Sequence, residues 1–208
     1  MKNKAFYFTL LILLFSLFAS AQTAGEIVSR METEIDKYEN DGVSMLNIVK
    51  VPVIGTIKST AYTLGDKVRM DSEVKGVKVI VWMDNENEWT YNSKNNEVEI
   101  KKADPKKREA EDDMEMFDGL TEGYDVTIDS ENDKAWELLC KKNKANKDKD
   151  APKKITIAVS KGTYLPVSLT TKMSGVTITM QDIHFGVTEK QVTFNAADFP
   201  GITITDKR

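Results

Sequence analysis

The side chains best suited by type to chemistry are few. The chain holds one histidine, His184, and one cysteine, Cys140. A single imidazole cannot make the usual zinc site, and with no fixed acid or nucleophile near it in sequence it makes no triad. No G-x-S-x-G turn is present. His184 lies in "SGVTITMQDIHFG" (174–186), out of phase with Ile183 and Phe185, which points it to solvent. Cys140, in "WELLCKK", shares a face with Trp136 and Leu138, the setting of a buried structural thiol. The carboxylates Glu109, Glu111, Asp112, Asp113 and Glu115 lack the glycine turn of a calcium loop and read as a solvated helix face. No catalytic residue, metal or cofactor is therefore expected. An enzyme acting on lipid is the weakest of the function classes.

What remains is apolar patterning. In the same stretch Val176, Ile178 and Met180 alternate with Thr177, Thr179 and Gln181, and after Asp182 the apolar residues change phase to Ile183 and Phe185. A strand with a bulge near 181–182 reads this way. Its apolar face looks onto either a packed core or a cavity kept open for an apolar guest.

The start of the chain bears on where such a guest would be met. Lys2 and Lys4 precede a nearly continuous apolar run over 5–18, followed by "ASAQ" with Ala19 and Ala21 in an A-x-A arrangement. This is the pattern of a secretory signal peptide cut after Ala21. The run is short for a spanning helix, which needs ~20 apolar residues. Residues 1–21 are thus expected to be the signal and 22–208 a single exported domain. With one cysteine there is no internal disulfide framework, and an export signal with so little cysteine fits a bacterial periplasm. The formal net charge of −4 with interspersed signs argues against a nucleic-acid partner.

The elements that would position an apolar face follow from periodicity. Residues 24–38 read as a helix, with Ile27, Met31 and Ile35 spaced by four. From Val43 the period is near two. Strands are expected over 43–51, 55–64, 67–74, 77–83, 89–92 and 97–101, then over 124–129, 135–142, 155–160, 164–173, 176–185, 191–195 and 202–205. The segment 77–83 is apolar on both sides and reads as central. Pro105 opens a charged helical segment whose apolar residues, Met114, Met116, Phe117 and Leu120, cluster late. The Lys-rich 141–154 reads as a long solvated hairpin loop that could also dock on anionic headgroups.

About twelve strands at ~4.8 Å would form a flat sheet nearly 60 Å wide, and sheets that wide curl, split or close. A helix of ~15 residues is only ~22 Å long and ~10 Å across. Two of them cannot cover such a sheet unless it curls around them. The fold class expected is therefore α+β, mainly β: a curved antiparallel sheet forming an open, incomplete β-barrel, with the N-terminal helix and a mid-chain helix as plug or lid. The methionines, Met31, Met45, Met83, Met114, Met116 and Met180 among them, suit either irregular core filling or a surface that fits varied apolar ligands.

The segment "VIVWMDNENEWTYNSKNNEVEI" (79–100) resembles the central hairpin of the periplasmic outer-membrane lipoprotein carrier (LolA-like) family. The order of the rest is similar: an N-terminal helix, "DKVRMD" (66–71), a charged mid-chain helix, "TYLPVSL" (163–169), "DIHFG", and a closing "VTFNAADFPGITITD" (192–206). The family's Arg-Pro pair before the third strand is absent, and Arg69 alone matches a family arginine. The resemblance implies an unclosed barrel with helical lids whose interior receives the acyl chains of a lipoprotein. It also implies an inner-membrane donor, an outer-membrane acceptor and a monomeric carrier.

On this reading Met31, Ile35, Met45, Met83, Trp89, Tyr91, Met114, Met116, Phe117 and Met180 border one apolar cavity, and Arg69 positions the lid. Trp89 and Tyr91, two apart on one strand, could instead be a cross-strand aromatic pair holding a hairpin. Arg69 could equally be a surface residue. The alternative function is a non-enzymatic structural or interaction protein of the cell envelope with a packed barrel.

Overall fold

The computed structural model describes residues 22–104, 117 and 119–208. Helix α1 (Ala24–Asp36) opens it. Thr23 caps α1 reciprocally: its hydroxyl accepts from the Glu26 amide at 3.2 Å, and the Glu26 carboxylate accepts from the Thr23 amide at 2.9 Å. Two of the amides that a helix start leaves free, those of Thr23 and Glu26, are thereby satisfied. The buried side of α1 is Ile27, Val28, Met31 and Ile35.

Twelve strands follow: β1 (Val43–Val51), β2 (Gly55–Leu64), β3 (Lys67–Val74), β4 (Val77–Met83), β5 (Asn87–Asn92), β6 (Glu97–Lys102), β7 (Tyr124–Glu131), β8 (Ala135–Lys142), β9 (Lys154–Ser160), β10 (Pro166–Met173), β11 (Val176–Phe185) and β12 (Thr203–Asp206). They form one sheet in the order β12-β6-β5-β4-β3-β2-β1-β11-β10-β9-β8-β7. All pairs are antiparallel except β12 with β6. Two meanders, β1–β6 and β7–β11, join where β1 pairs with β11. The two edges, β12 and β7, do not meet, so the curved sheet is an open barrel, as the area argument required.

Gly42 sets the entry to β1. Its φ is +69°, and a Cβ there would fall 2.2 Å from the Thr63 carbonyl oxygen, so no larger residue fits.

The bulge in β11 is where the alternation shifts. Ser44 faces His184 but Leu46 faces Gln181, one residue extra on β11, and Asp182 takes φ +53°. The extra residue turns Ile183 and Phe185 back to the side that Met180 already occupies. All three pack on the core around α1, while His184 is exposed. The phase change thus keeps one apolar face continuous.

Boundaries fall within two residues of expectation, and one expected strand does not form. The first helix stops at Asp36. Residues 191–195, expected as a strand, belong instead to a short helix α2 (Glu189–Val192) and the chain leading into a 3-10 turn (Ala196–Asp198). Thr188 and Gln191 form a capping box, a local signal for helix that outweighs the alternating Gln-Val-Thr-Phe-Asn. Among the described residues no helix is long and apolar enough to cross a membrane.

Candidate functional site

The register divides the apolar residues between the two faces of the sheet. On the concave face, Val43 faces Thr63 and Phe185, and Met45 faces Ala61. Leu169 faces Ile157, which faces Leu138. These residues, with Trp136, Cys140, Ile155 and Val159, are buried against Ile27, Met31 and Ile35 of α1. Arg30 fixes the helix from its side, donating to the Tyr164 hydroxyl at 3.0 Å with its guanidinium 5.0 Å from that ring. Phe117 closes the same core, fully buried with its ring 5.9 Å from Phe185.

So Met31, Ile35, Met45 and Phe117 come together, and Met180 packs half-buried at their border. Their space is filled by side chains. Phe117 belongs to this core; the helix expected over 105–120 as plug or lid otherwise lies largely outside the described residues. Met114 and Met116 lie outside the described residues, as do Glu109, Glu111, Asp112, Asp113 and Glu115.

Cys140 is buried, and desolvation pushes its thiol up to about 11. A thiol that ionises near pH 8.5 in the unfolded chain and near 11 in the folded one disfavours the fold as pH rises through that window. It should resist alkylation in native protein at pH 8 and react within the dead time after denaturation. Labelling at equal rates in both states would place it at the surface.

The other face of the sheet carries a second, aromatic core. Trp82 faces Trp89 across β4–β5, and Ile80 faces Tyr91. Phe194 lies 5.3 Å from the Trp82 ring, and Phe199 lies 5.6 Å from Trp82 and 4.6 Å from Tyr91. Trp89 stacks on Phe194 at 6.3 Å. Trp89 and Tyr91 therefore anchor the C-terminal segment on the convex side and cannot border the same space as Met31 and Met45. Met83 is buried on the concave side, opposite Val68, but outside the α1 core. One contiguous space shared by all the named residues is corrected on these three. Alternation showed that Trp89 and Tyr91 share a face, but which face depends on strand pairings remote in sequence.

Arg69 also lies on the convex side. Its guanidinium is bidentate to Asp71 at 2.6 and 2.8 Å, donates to the Gln191 carbonyl at 3.2 Å, and sits 5.4 and 5.5 Å from the Tyr62 and Trp82 rings. Lys67 bonds Glu189 beside it and holds that carboxyl below its usual range. Arg69 thus positions the 188–192 turn. It does not position Phe117, which packs on the opposite face. The residues that sequence reasoning missed are Trp82, Phe194 and Phe199. The aromatic-plus-Pro-Gly ending at 194–201 was the available signal.

What α1 leaves uncovered is the lower part of the concave face. Below Met45 the rows read Asn47, Ser59, Ser72, Val79 and Met180, then Val49, Ile57, Val74, Val77 and Ile178, all on one side by register. Most are half-buried, and Ile57 and Val74 are exposed. Met70 and Val81 extend this strip toward β5. The Asn47 side-chain oxygen, where this strip meets the core, is buried without a hydrogen-bond partner among the described residues, which ordinarily costs ~1–3 kcal/mol. Two clefts elsewhere are more polar. One of about 420 Å³ at the end of α1 is lined by Glu32, Ile35, Asp36, Phe117 and Glu122, and one of about 850 Å³ lies beside the lysine-rich loop. The half-exposed strip presents mostly aliphatic side chains.

The architecture defines a class: a twelve-stranded open sheet wrapped on α1, with its C-terminal segment strapped across the outer face. No family profile and no curated protein matches the sequence. Among solved structures the chain is similar to an uncharacterized conserved protein from Thermus thermophilus, at 12% identity over 88% of this chain and 99% of that one, TM-score 0.44. It is similar to MucB in complex with MucA(peri), at 12% identity over 83% of this chain, TM-score 0.43, and it spans only 60% of that chain's length. A LolA superfamily protein from Nitrosomonas europaea aligns at 11% identity over 85% of this chain and 100% of its own, TM-score 0.34. The architecture given above rests on strand order and register, independently of these likenesses.

Proposed function

We propose that the protein is a periplasmic carrier that holds the acyl chains of a lipoprotein, or of another lipid, on the lower concave face of its open sheet. The observation that carries this is the apolar strip that runs down Val81, Val79 and Val77 and across Val74, Ile57 and Val49 to Ile178, left half-exposed to exposed beside a packed core. Partly wet apolar surface in a concavity is where burial of a guest contributes most, at ~0.8 kcal/mol per methylene. The Asn47 side-chain oxygen, buried at the strip's head without a partner among the described residues, would accept a hydrogen bond from an amide or hydroxyl of the cargo. The sequence resemblance to lipoprotein carriers, and the export signal expected over 1–21, support the same compartment and cargo class. A donor at the inner membrane and an acceptor at the outer membrane follow from that role, and no catalytic step is required of the protein.

Mass spectrometry of organic extracts from purified protein tests the proposal. Acylated species in stoichiometric amounts are the expected result. Extracts free of acyl chains, together with a flat titration by an environment-sensitive apolar dye, would favour a packed envelope protein instead.

A further inference from the structure

The turn Pro52-Val53-Ile54 between β1 and β2 is apolar and uncovered. Val53 is fully exposed and Ile54 is 74% exposed. Val53 also takes φ +71°, a left-handed conformation that a β-branched residue rarely adopts and that glycine or asparagine would take without strain. A strained and bare valine has no folding role on the described surface.

Its surroundings share one character. The β3–β4 turn at Lys75-Gly76 and the β10–β11 turn at Ser174-Gly175 emerge from the same end of the sheet, as the β1–β2, β3–β4 and β10–β11 registers require. A Cβ on Gly175 would stand 3.9 Å from Pro52, so two of these turns touch. Val74, Ile57 and Met173 add exposed apolar surface here. Residues 50–58, 73–78 and 172–176 carry Lys50, Lys58, Lys75, Lys78 and Lys172 against the single acid Glu73, in a chain whose net charge is −4. All five lysines are exposed. Lys50 and Lys172 both face Thr177 from adjacent strands, which puts them in one row on the convex side. No described carboxylate pairs with Lys50, Lys58, Lys75 or Lys172.

We propose that this end of the sheet docks on an anionic phospholipid bilayer, with Val53 and Ile54 inserted below the headgroups and the lysines engaging phosphates around them. A convex apolar finger fits a deformable lipid surface, whereas a protein partner would have to supply a matching pocket. Long lysine stems reach headgroup level while their turns lie lower. The local basic charge, opposite in sign to the chain as a whole, is complementary to an anionic leaflet. The docking stands whether or not the concave face takes an acyl chain.

Co-sedimentation with vesicles of phosphatidylcholine alone, and of phosphatidylcholine with phosphatidylglycerol, tests this. The protein should bind the anionic vesicles and release from them as salt is raised. Val53→Asp/Ile54→Asp should weaken binding by more than about ten-fold. Lys50→Glu and Lys172→Glu should each weaken it by about five-fold or more. Val53→Gly relieves the backbone, so it should keep or raise the melting temperature while losing affinity, which separates docking from misfolding. Brominated lipid should quench a Val53→Trp reporter. Binding unchanged in the double aspartate variant, or no binding to either vesicle, overturns the proposal. A Val53-dependent dimer in sedimentation velocity without vesicle binding would assign the tip to a second copy instead.

Discussion

Replacing Trp82 with alanine should lower the unfolding free energy by ~3–5 kcal/mol, the range for truncating a buried aromatic in a packed site. Trp82 is 3% exposed and central to everything that holds the C-terminal segment. Phe194 and Phe199 pack on its ring edge-on, Trp89 lies opposite it across the strands, and the Arg69 guanidinium sits 5.5 Å from it. Loss of the indole empties the middle of that cluster and leaves Arg69 with Tyr62, Asp71 and the Gln191 carbonyl. The strap over 188–206 should then exchange its amides faster than the α1 core, because the two apolar clusters lie on opposite faces of the sheet. Urea unfolding gives the magnitude and residue-resolved hydrogen exchange gives the location. Uniform acceleration over both faces would mean that the two cores unfold as one unit.

Ile178→Asp should have the opposite profile, a small effect on stability and a large one on binding. Ile178 is half-buried on the lower concave strip, facing Val49 on one neighbour and Thr171 on the other. A carboxylate there stays partly solvated, so the fold should lose less than ~1 kcal/mol, as for a surface substitution. An acyl chain laid over it would meet a charge where it had met a side chain worth ~1.5–3 kcal/mol of apolar contact. The affinity for a fatty acid or apolar dye should fall ten-fold or more in a saturable titration. Met31→Asp, by contrast, puts an unpaired charge into the closed core and should unfold the protein. Equal dye binding by wild type and Ile178→Asp would remove the strip as the site.

Much of the fold could be read from local pattern. Alternation located all twelve strands to within two residues, from β1 (Val43–Val51) to β12 (Thr203–Asp206), and failed only on the extra strand expected over 191–195. The phase slip at 181–182 marked a real bulge. The site was harder to read. Trp89 and Tyr91 looked like cavity residues because alternation shows which residues share a face and never which face is concave. Phe117 was read as an apolar contact of a mid-chain lid, and its ring is enclosed by the core around α1.

The sequence by itself determined a mainly β chain with a capped amphipathic first helix, because period and capping chemistry act between residues a few positions apart. It also set His184 toward solvent and Cys140 among buried side chains, because alternation and phase act between neighbours. The tertiary structure alone decided that β1 would pair with β11, that the aromatic ending would strap the convex face, and that α1 would cover only the upper part of the concave one. Those outcomes depend on registers between residues more than a hundred positions apart. There a shift of one residue exchanges the faces, and only the burial of both cores at once selects between the alternatives.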